Sequence, residues 1–244
     1  AHKAGLRPND RIVEIDGKPT ADFPQGEEMN SAIALIKGKP GTTVKLKVQR
    51  AGSDMPESYE ITRDTIKTPT VLGDHYDEAG EWIYMIDDKE KIAYVRLTSF
   101  GRNSAEEMHD TLVKLQKQGM RAMILDLRFN PGGLLTAATA IADDFISRGI
   151  IVSTKGRNTE EHVVEAKKAG TFSGFPMAVL VNRLSASASE ILAAALQDHK
   201  RGVVVGERTW GKGSVQNTLD VEDGKSKLKL TTASYFRRSE ERRV

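Results

Sequence analysis

Three serines, Ser185, Ser187 and Ser189, and one lysine, Lys212, are the residues of this chain whose types and surroundings could do covalent chemistry. The serines lie in a segment of small residues, and the lysine stands between two glycines. A serine hydroxyl is a weak nucleophile at neutral pH and needs a nearby base. Burial favours the neutral form of a lysine, and a neutral amine can accept the proton of a hydroxyl. The chemistry expected of this pair is therefore acyl transfer to serine with lysine as the base.

Ser187 has the best position of the three serines, because it lies where the predicted strand Met177–Val181 turns into the predicted helix that follows. The N–H of Ala188 and the positive end of the helix dipole would face its oxygen and stabilise a tetrahedral intermediate. The alternative is structural. Ser187 and Glu190 also fit a capping box, which closes a helix N-terminus without any catalysis.

Lys212 lies between Gly211 and Gly213, where a backbone can pack closely; the alternative is a glycine-rich surface turn. A carboxylate beside the lysine amine would hold it protonated, so we expect Glu190 to orient or cap rather than to pair tightly with Lys212. In a straight strand, the side chains of Lys212 and Gln216 would be roughly 13 Å apart. We therefore expect direct contact between them only if the chain bends at Gly213.

The turn Asn130-Pro131-Gly132-Gly133 follows an apolar strand and precedes a second predicted helix. Two glycines at such a junction allow unusual backbone angles and an exposed N–H, which suits a second oxyanion donor. A plain helix-entry turn is the alternative.

The histidines suggest no competing site. His199 beside Asp198 lies at the far end of the helix from Ser187, which disfavours a Ser-His-Asp triad. His162 with Glu165 lacks a second histidine at metal-binding spacing, so we assign no metal and no cofactor.

The elements around these residues alternate between strands and helices, which predicts an α/β core with its chemistry at the strand ends. The predicted elements are strands at 92–97, 122–127, 150–153, 177–181, 203–205, 217–221 and 227–232, and helices at 104–118, 134–147 and up to about 199. Residues 1–66 form a separate predicted unit with an Asp16-Gly17 hairpin turn, a helix over 27–37 and a strand over 43–49. Residues 67–90 are expected to be a polar connector, and 91–244 the core.

The bulk composition narrows the function classes. The 244 residues include 29% charged residues and carry a formal net charge of +2, too little to suggest nucleic acid or an anionic membrane as a partner. No apolar run approaches the roughly 20 residues that span a bilayer, and no cysteine is present. The opening AHKAGLRPND looks like the middle of a module, so we treat the chain as a fragment and its lack of a signal segment as uninformative.

Three motifs, LVNRLSASASEILAAALQD, VVVGERTWGKGSVQ and ILDLRFNPGGLL, closely resemble the C-terminal processing peptidases, also called tail-specific proteases. AGLRPNDRIVEIDGKPT and EEMNSAIALIKGKPGTTVKLKV resemble a bacterial PDZ domain that is incomplete at its N-terminus. The resemblance covers nearly the whole chain and implies a crotonase-like αβ core with a PDZ domain. It also implies roles for individual residues: Ser187 as nucleophile, Lys212 as base, Gln216 and Glu190 as assisting groups, and Ala188 with Gly133, favoured over Gly132, as oxyanion donors.

The resemblance implies an extracytoplasmic serine endopeptidase that acts on the C-terminal tails of proteins. It leaves open whether the protein forms a homo-oligomer. The PDZ-like unit would bind a tail by strand addition beside the 27–37 helix, with Ile33 lining the groove. It could also gate activity by tilting against the core. Two other hypotheses stay open: an inactive peptide-binding adaptor, which the intact Ser187 and Lys212 pair disfavours, and an acyl-CoA enzyme, which would leave that pair without a role.

Overall fold

The computed structural model describes residues 4–7, 9–53, 55–65, 68–157, 160–167, 169–224 and 226–237. The chain divides into two compact units, Ala1–Thr68 and Pro69–Val244. Each unit has its own cluster of buried apolar side chains.

The smaller unit is an antiparallel sheet with one helix. Its elements are β1 (Arg11–Ile15), β2 (Lys18–Pro19), α1 (Glu28–Ile36), β3 (Thr43–Gln49) and β4 (Glu57–Thr62). The strand order is β2-β1-β3-β4. Asp16 and Gly17 join β1 to β2 with positive φ angles of 46° and 82°, as a tight hairpin turn requires. The side chains that β3 turns inward, with Ile15, form the core of this unit.

The larger unit is built from twelve strands and three helices within its described residues. They are β5 (Val71–Leu72), β6 (His75–Tyr76), β7 (Trp82–Ile83), β8 (Met85–Asp87), β9 (Ile92–Leu97), α2 (Ser104–Lys117), β10 (Ala122–Asp126), α3 (Leu135–Phe145), β11 (Gly149–Lys155), β12 (His162–Ala166), β13 (Met177–Val181), α4 (Ala188–Asp198), β14 (Val203–Gly206), β15 (Ser214–Val221) and β16 (Ser226–Phe236).

The central sheet of this unit has the order β14-β13-β10-β9-β5, and β8 also pairs with β9. Strands β9, β10, β13 and β14 run parallel. Parallel strands that helices cover on both faces consist mostly of apolar residues, as the sequence MAVLV of β13 does. The register pairs Asp126 with Leu180, so the carboxyl ends of β10 and β13 lie side by side. The loops that follow these two strands therefore emerge next to each other.

A second sheet, in the order β12-β11-β16-β15, is antiparallel. β15 begins two residues after Lys212, and it forms a long hairpin with β16. The start of β15 in this sheet therefore fixes the end of the loop that carries Lys212.

The segment predicted as a polar connector contains regular structure. Over residues 68–90 the chain forms the four short strands β5 to β8, and two of these strands pair with β9. Strands of two or three residues are too short to show a period in the sequence, which is why the pattern did not predict them. Ile66 and Lys67, also near this boundary, lie outside the described residues.

Packing around β10 should dominate the stability of the larger unit. We expect Leu125→Ala, at a fully buried position in β10, to lower the free energy of unfolding by about 2–5 kcal/mol. Leu219→Ala in β15 is the matched control, because that side chain is 45% exposed and its loss should cost less than about 1 kcal/mol. Chemical denaturation measures both values, and equal losses would contradict this placement of the core.

Candidate active site

Ser187 occupies an unusual backbone position at the start of α4. Its φ and ψ are 56° and −114°, whereas a residue that only caps a helix normally has extended angles. A positive φ at a residue with a side chain costs of order 1–3 kcal/mol and clusters at functional sites. The capping box expected with Glu190 is present, and Ser187 N–H donates to Glu190 Oε2 at 2.7 Å. The serine is thus both a cap and a strained turn residue.

The three serines have different surroundings. Ser185 and Ser189 are fully buried, and their hydroxyls donate to the carbonyl oxygens of Leu127 and Asn130 at 2.8 and 3.0 Å. These two serines fasten the turn to the loop that follows β10. Ser187 is half-buried and lines an open pocket, so it is the serine whose hydroxyl a substrate could reach.

The Asn130–Gly133 turn packs directly against Ser187. Asn130 is completely buried, and its carbonyl oxygen accepts the N–H of Ala186 at 3.0 Å. Gly132, at φ 96°, approaches so closely that a Cβ added there would lie 2.8 Å from Ser187 Cβ. The sequence predicted that Gly132 allows an unusual backbone angle between a strand and a helix. The structure shows in addition that a side chain at this position would have no room.

The backbone N–H groups around Ser187 are not equivalent. Gly132 N–H donates to Asn130 Oδ1 at 2.9 Å. Within the described part of the chain, the N–H groups of Gly133 and Ala188 donate no hydrogen bond. Gly133 and Ala188 line the same pocket as Ser187. Two backbone donors are therefore available beside the serine, and the N–H of Gly132 is already engaged.

Glu190 connects the serine turn to the lysine loop. This carboxylate, on the first turn of α4 and 8% exposed, accepts four hydrogen bonds. Oε1 accepts from Thr209 Oγ1 at 2.8 Å and from Gly211 N–H at 2.7 Å. Oε2 accepts from the N–H groups of Ser187 at 2.7 Å and Lys212 at 3.1 Å. Glu190 thus holds the backbone of the lysine loop, not its amine. Thr209 was not identified from the sequence, because its partner lies 19 residues away.

Lys212 is half-buried, and its Nζ lies 3.4 Å from Gln216 Oε1. This contact requires a departure from a straight strand. Lys212 precedes β15, which starts at Ser214, and the pairing with β16 is irregular between Val215 and Gln216. The described residues include no hydrogen bond between Lys212 Nζ and Ser187 Oγ. Hydrogen bonds between catalytic groups are often long in the absence of substrate and tighten when it binds.

One pocket of about 440 Å³ collects these residues. Its wall contains five of the residues singled out in the sequence: Ser187, Lys212, Gln216, Gly133 and Ala188. Apolar residues complete it, together with Ser214 and Asn217 from β15 and Lys229 and Tyr235 from β16. No Asp or Glu belongs to the wall as described, so its ionisable side chains are two lysines and one tyrosine.

The remaining sequence candidates lie away from this pocket. His199 Nε2 contacts Ile150 O at 2.8 Å, at the opposite end of α4 from Ser187. No group of three or more His, Cys, Asp or Glu side chains in the described ranges is arranged to hold a metal ion.

In the smaller unit, Ile33 is 39% exposed on α1, and Met29, one turn earlier, is 72% exposed. No helix within the described ranges is long and apolar enough to cross a membrane.

Comparison with known proteins identifies the family. The sequence model of peptidase family S41 matches residues 91–243, and a PDZ domain model matches residues 1–50. The chain belongs to peptidase family S41. The predicted fold class and the resemblance to the C-terminal processing peptidases are therefore confirmed.

Three relatives illustrate the similarity. The carboxy-terminal processing protease CtpA of Bacillus subtilis is 38% identical over 97% of this chain and 47% of its own length. A carboxyl-terminal-processing protease of Synechocystis is 38% identical over 96% of this chain and 52% of its own length. The solved structure of a photosystem II D1 C-terminal processing protease is 30% identical, with a TM-score of 0.60, and covers 100% of this chain and 63% of the other. The chain spans about half the length of the two curated relatives.

The Glu190 carboxylate should control the stability of the lysine loop. In Glu190→Gln, one acceptor oxygen becomes an NH₂ donor. In either orientation of the amide this NH₂ faces at least one backbone N–H, so at least one of the four hydrogen bonds is lost. We expect the free energy of unfolding to fall by about 1–3 kcal/mol. Amide hydrogen exchange at Gly211 and Lys212 should also accelerate. Glu106→Gln, at an exposed position on α2, is the control; unchanged exchange in Glu190→Gln would show that the loop is held by other contacts.

A side chain at Gly132 should disrupt the serine turn. Gly132 and Gly170 both have positive φ, 96° and 81°, so alanine is strained at either position. Only at Gly132 would the new Cβ meet neighbours, at 2.6 Å from Ala186 O; at Gly170 it meets nothing within 4 Å. We expect Gly132→Ala to destabilise by about 1–3 kcal/mol more than Gly170→Ala in chemical denaturation. Equal effects would show that the turn can move aside.

Proposed function

We propose that this chain is the tail-binding and catalytic part of a serine endopeptidase that cleaves proteins near their C-termini, with Ser187 as nucleophile and Lys212 as general base. The observation that carries the proposal is the strained backbone of Ser187 at a helix start. It lies in one pocket with a lysine and two backbone N–H groups that donate to no described acceptor. A helix cap alone would not need the strained backbone of Ser187.

In the first half of the reaction, Ser187 Oγ attacks the carbonyl carbon of the scissile peptide while its proton passes to Lys212 Nζ. The carbonyl oxygen becomes an oxyanion, and the N–H groups of Ala188 and Gly133 donate to it. When the C–N bond breaks, the leaving amine takes the proton from Lys212. The product is an ester between Ser187 and the N-terminal part of the substrate.

In the second half, Lys212 accepts a proton from a water molecule, which attacks the ester carbonyl through the same oxyanion site. The intermediate collapses, Ser187 recovers its proton, and the carboxylic acid product leaves. Gln216 Oε1 lies 3.4 Å from Lys212 Nζ. In this proposal it holds the amine at the pocket during both half-reactions. Glu190 acts on the backbone of the loop, which leaves the amine free of a direct carboxylate partner.

Recognition of a protein tail is assigned to the smaller unit, for which we propose a PDZ domain over residues 1–66, followed by a connecting segment to residue 90 and the catalytic core from 91. Ile33 and Met29 expose apolar surface one helical turn apart on α1. That pair suits an extended tail that pairs with a strand and places alternate side chains on the helix. The resemblance to the C-terminal processing peptidases supports an extracytoplasmic location and protein substrates.

A fluorophosphonate probe, which reacts with activated serines, tests this proposal. We expect the wild type to be labelled on Ser187, Ser187→Ala to show no labelling, and Lys212→Ala to react about 10²- to 10⁴-fold more slowly because the base is missing. Ser173→Ala and Lys117→Ala, both at exposed positions away from the pocket, are the controls and should react like the wild type. A folded wild type that is never labelled would overturn the proposal and favour the peptide-binding adaptor.

A further inference from the structure

The Glu190 carboxylate has no acceptor capacity left. A carboxylate offers about four lone-pair sites in total, and Glu190 fills them with Thr209 Oγ1 and three backbone N–H groups. Three of these bonds are 2.7–2.8 Å long, and the fourth, from Lys212 N–H, is 3.1 Å. The hydrogen bond from the Lys212 backbone N–H is therefore the longest of the four, and it is the one most readily replaced by a bond from another donor.

A fifth donor, the Tyr235 hydroxyl, belongs to a residue that lines the same pocket as this full carboxylate. Tyr235 on β16 is 5% exposed, and its hydroxyl is buried without a hydrogen-bond partner among the described atoms. Tyr235 lines the Ser187 pocket and also a second pocket of about 230 Å³, whose wall includes Glu190. Burial and the nearby charge of Glu190 raise the pKa of the Tyr235 phenol, so it remains a donor at every physiological pH. A buried hydroxyl without a partner is costly and needs an explanation.

Tyr235 is also tied to the lysine loop through its backbone. Its N–H donates to the carbonyl oxygen of Gly213 at 3.2 Å, one residue after Lys212. The lysine amine, in contrast, contacts Gln216 and makes no hydrogen bond to Ser187 within the described part of the chain. To act as base the amine must advance toward Ser187, and a shift of the Lys212 backbone would stretch its bond to Glu190.

We propose that Tyr235 is a positioning residue whose hydroxyl donates to Glu190 Oε2 in place of Lys212 N–H when the lysine advances on Ser187. The exchange keeps four donors on the buried carboxylate throughout, so the advance leaves no acceptor unpaired. Tyr235 touches no reacting atom and acts only through Glu190 and the loop. This inference rests on the proposed serine–lysine mechanism.

Tyr235→Phe tests the exchange, because phenylalanine keeps the ring and removes only the hydroxyl. In the full chain, the rate of labelling at saturating fluorophosphonate should fall about tenfold, as expected for one lost hydrogen bond. The half-saturating probe concentration should stay unchanged. The melting temperature should stay equal or rise, since an unpaired buried hydroxyl is removed. Tyr84→Phe, a second buried tyrosine whose hydroxyl lies 3.4 Å from Val71 O, is the matched control and should label like the wild type.

Amide hydrogen exchange tests the same step directly. After fluorophosphonate modification of Ser187, the Lys212 amide should exchange at least about tenfold faster than in the free protein, because it has left Glu190. The Gly211 amide should stay protected. Equal protection of Lys212 in both states, or Tyr235→Phe with wild-type labelling, would overturn the role of Tyr235. Failure of the serine–lysine mechanism itself would appear differently, as a wild type that the probe never labels.

Discussion

One buried carboxylate holds the candidate site together. Glu190 binds the N–H of Ser187 on one side and the loop from Thr209 to Lys212 on the other. The two proposed reacting groups lie on separate segments, one at a helix start and the other ahead of a hairpin, and Glu190 joins these segments together with the bond from Trp210 N–H to Ser185 O at 3.0 Å. A carboxylate suits this task because its two oxygens accept from several directions, and because bonds from N–H groups to a charged acceptor are stronger than neutral ones. The position of the lysine amine therefore depends on a group that does not bind it.

The parallel sheet supplies the other constraint. Because β10 and β13 are neighbours in register, their following loops lie together, and Asn130 bonds to Ala186 and Ser189 across them. Close packing of Gly132 against Ser187 maintains the strained serine backbone that local preferences oppose. Of the two glycines in the turn, Gly133 keeps its N–H available among the described groups, since Asn130 Oδ1 accepts that of Gly132. The strain thus depends on the contact between these two loops, whereas the open donor depends on a hydrogen bond within the Asn130–Gly133 turn.

Much of this arrangement could be read from the sequence. The apolar runs predicted β9, β10, β13 and β14 within a residue or two, and the helix predicted over 104–118 is observed as α2. The motifs around Ser187, Lys212 and Asn130 were recognisable because each is a short, continuous segment with a distinctive composition. Family membership follows from those segments and is confirmed over most of the chain. What the pattern did not predict were the short strands β5 to β8, whose pairing depends on the neighbouring strand β9.

The sequence by itself therefore determined the α/β class, the two units and the residue types present at the candidate site, because hydrophobic periodicity and turn chemistry are local properties. Only the tertiary structure decided which atoms meet. It separated Ser187 from the buried Ser185 and Ser189 and brought Lys212 to Gln216. It also directed Glu190 to the Thr209 hydroxyl and to two backbone N–H groups, 19 to 22 residues away. Such contacts join segments that are remote in the chain, and their distances depend on how sheets and loops pack, which no spacing along the sequence encodes.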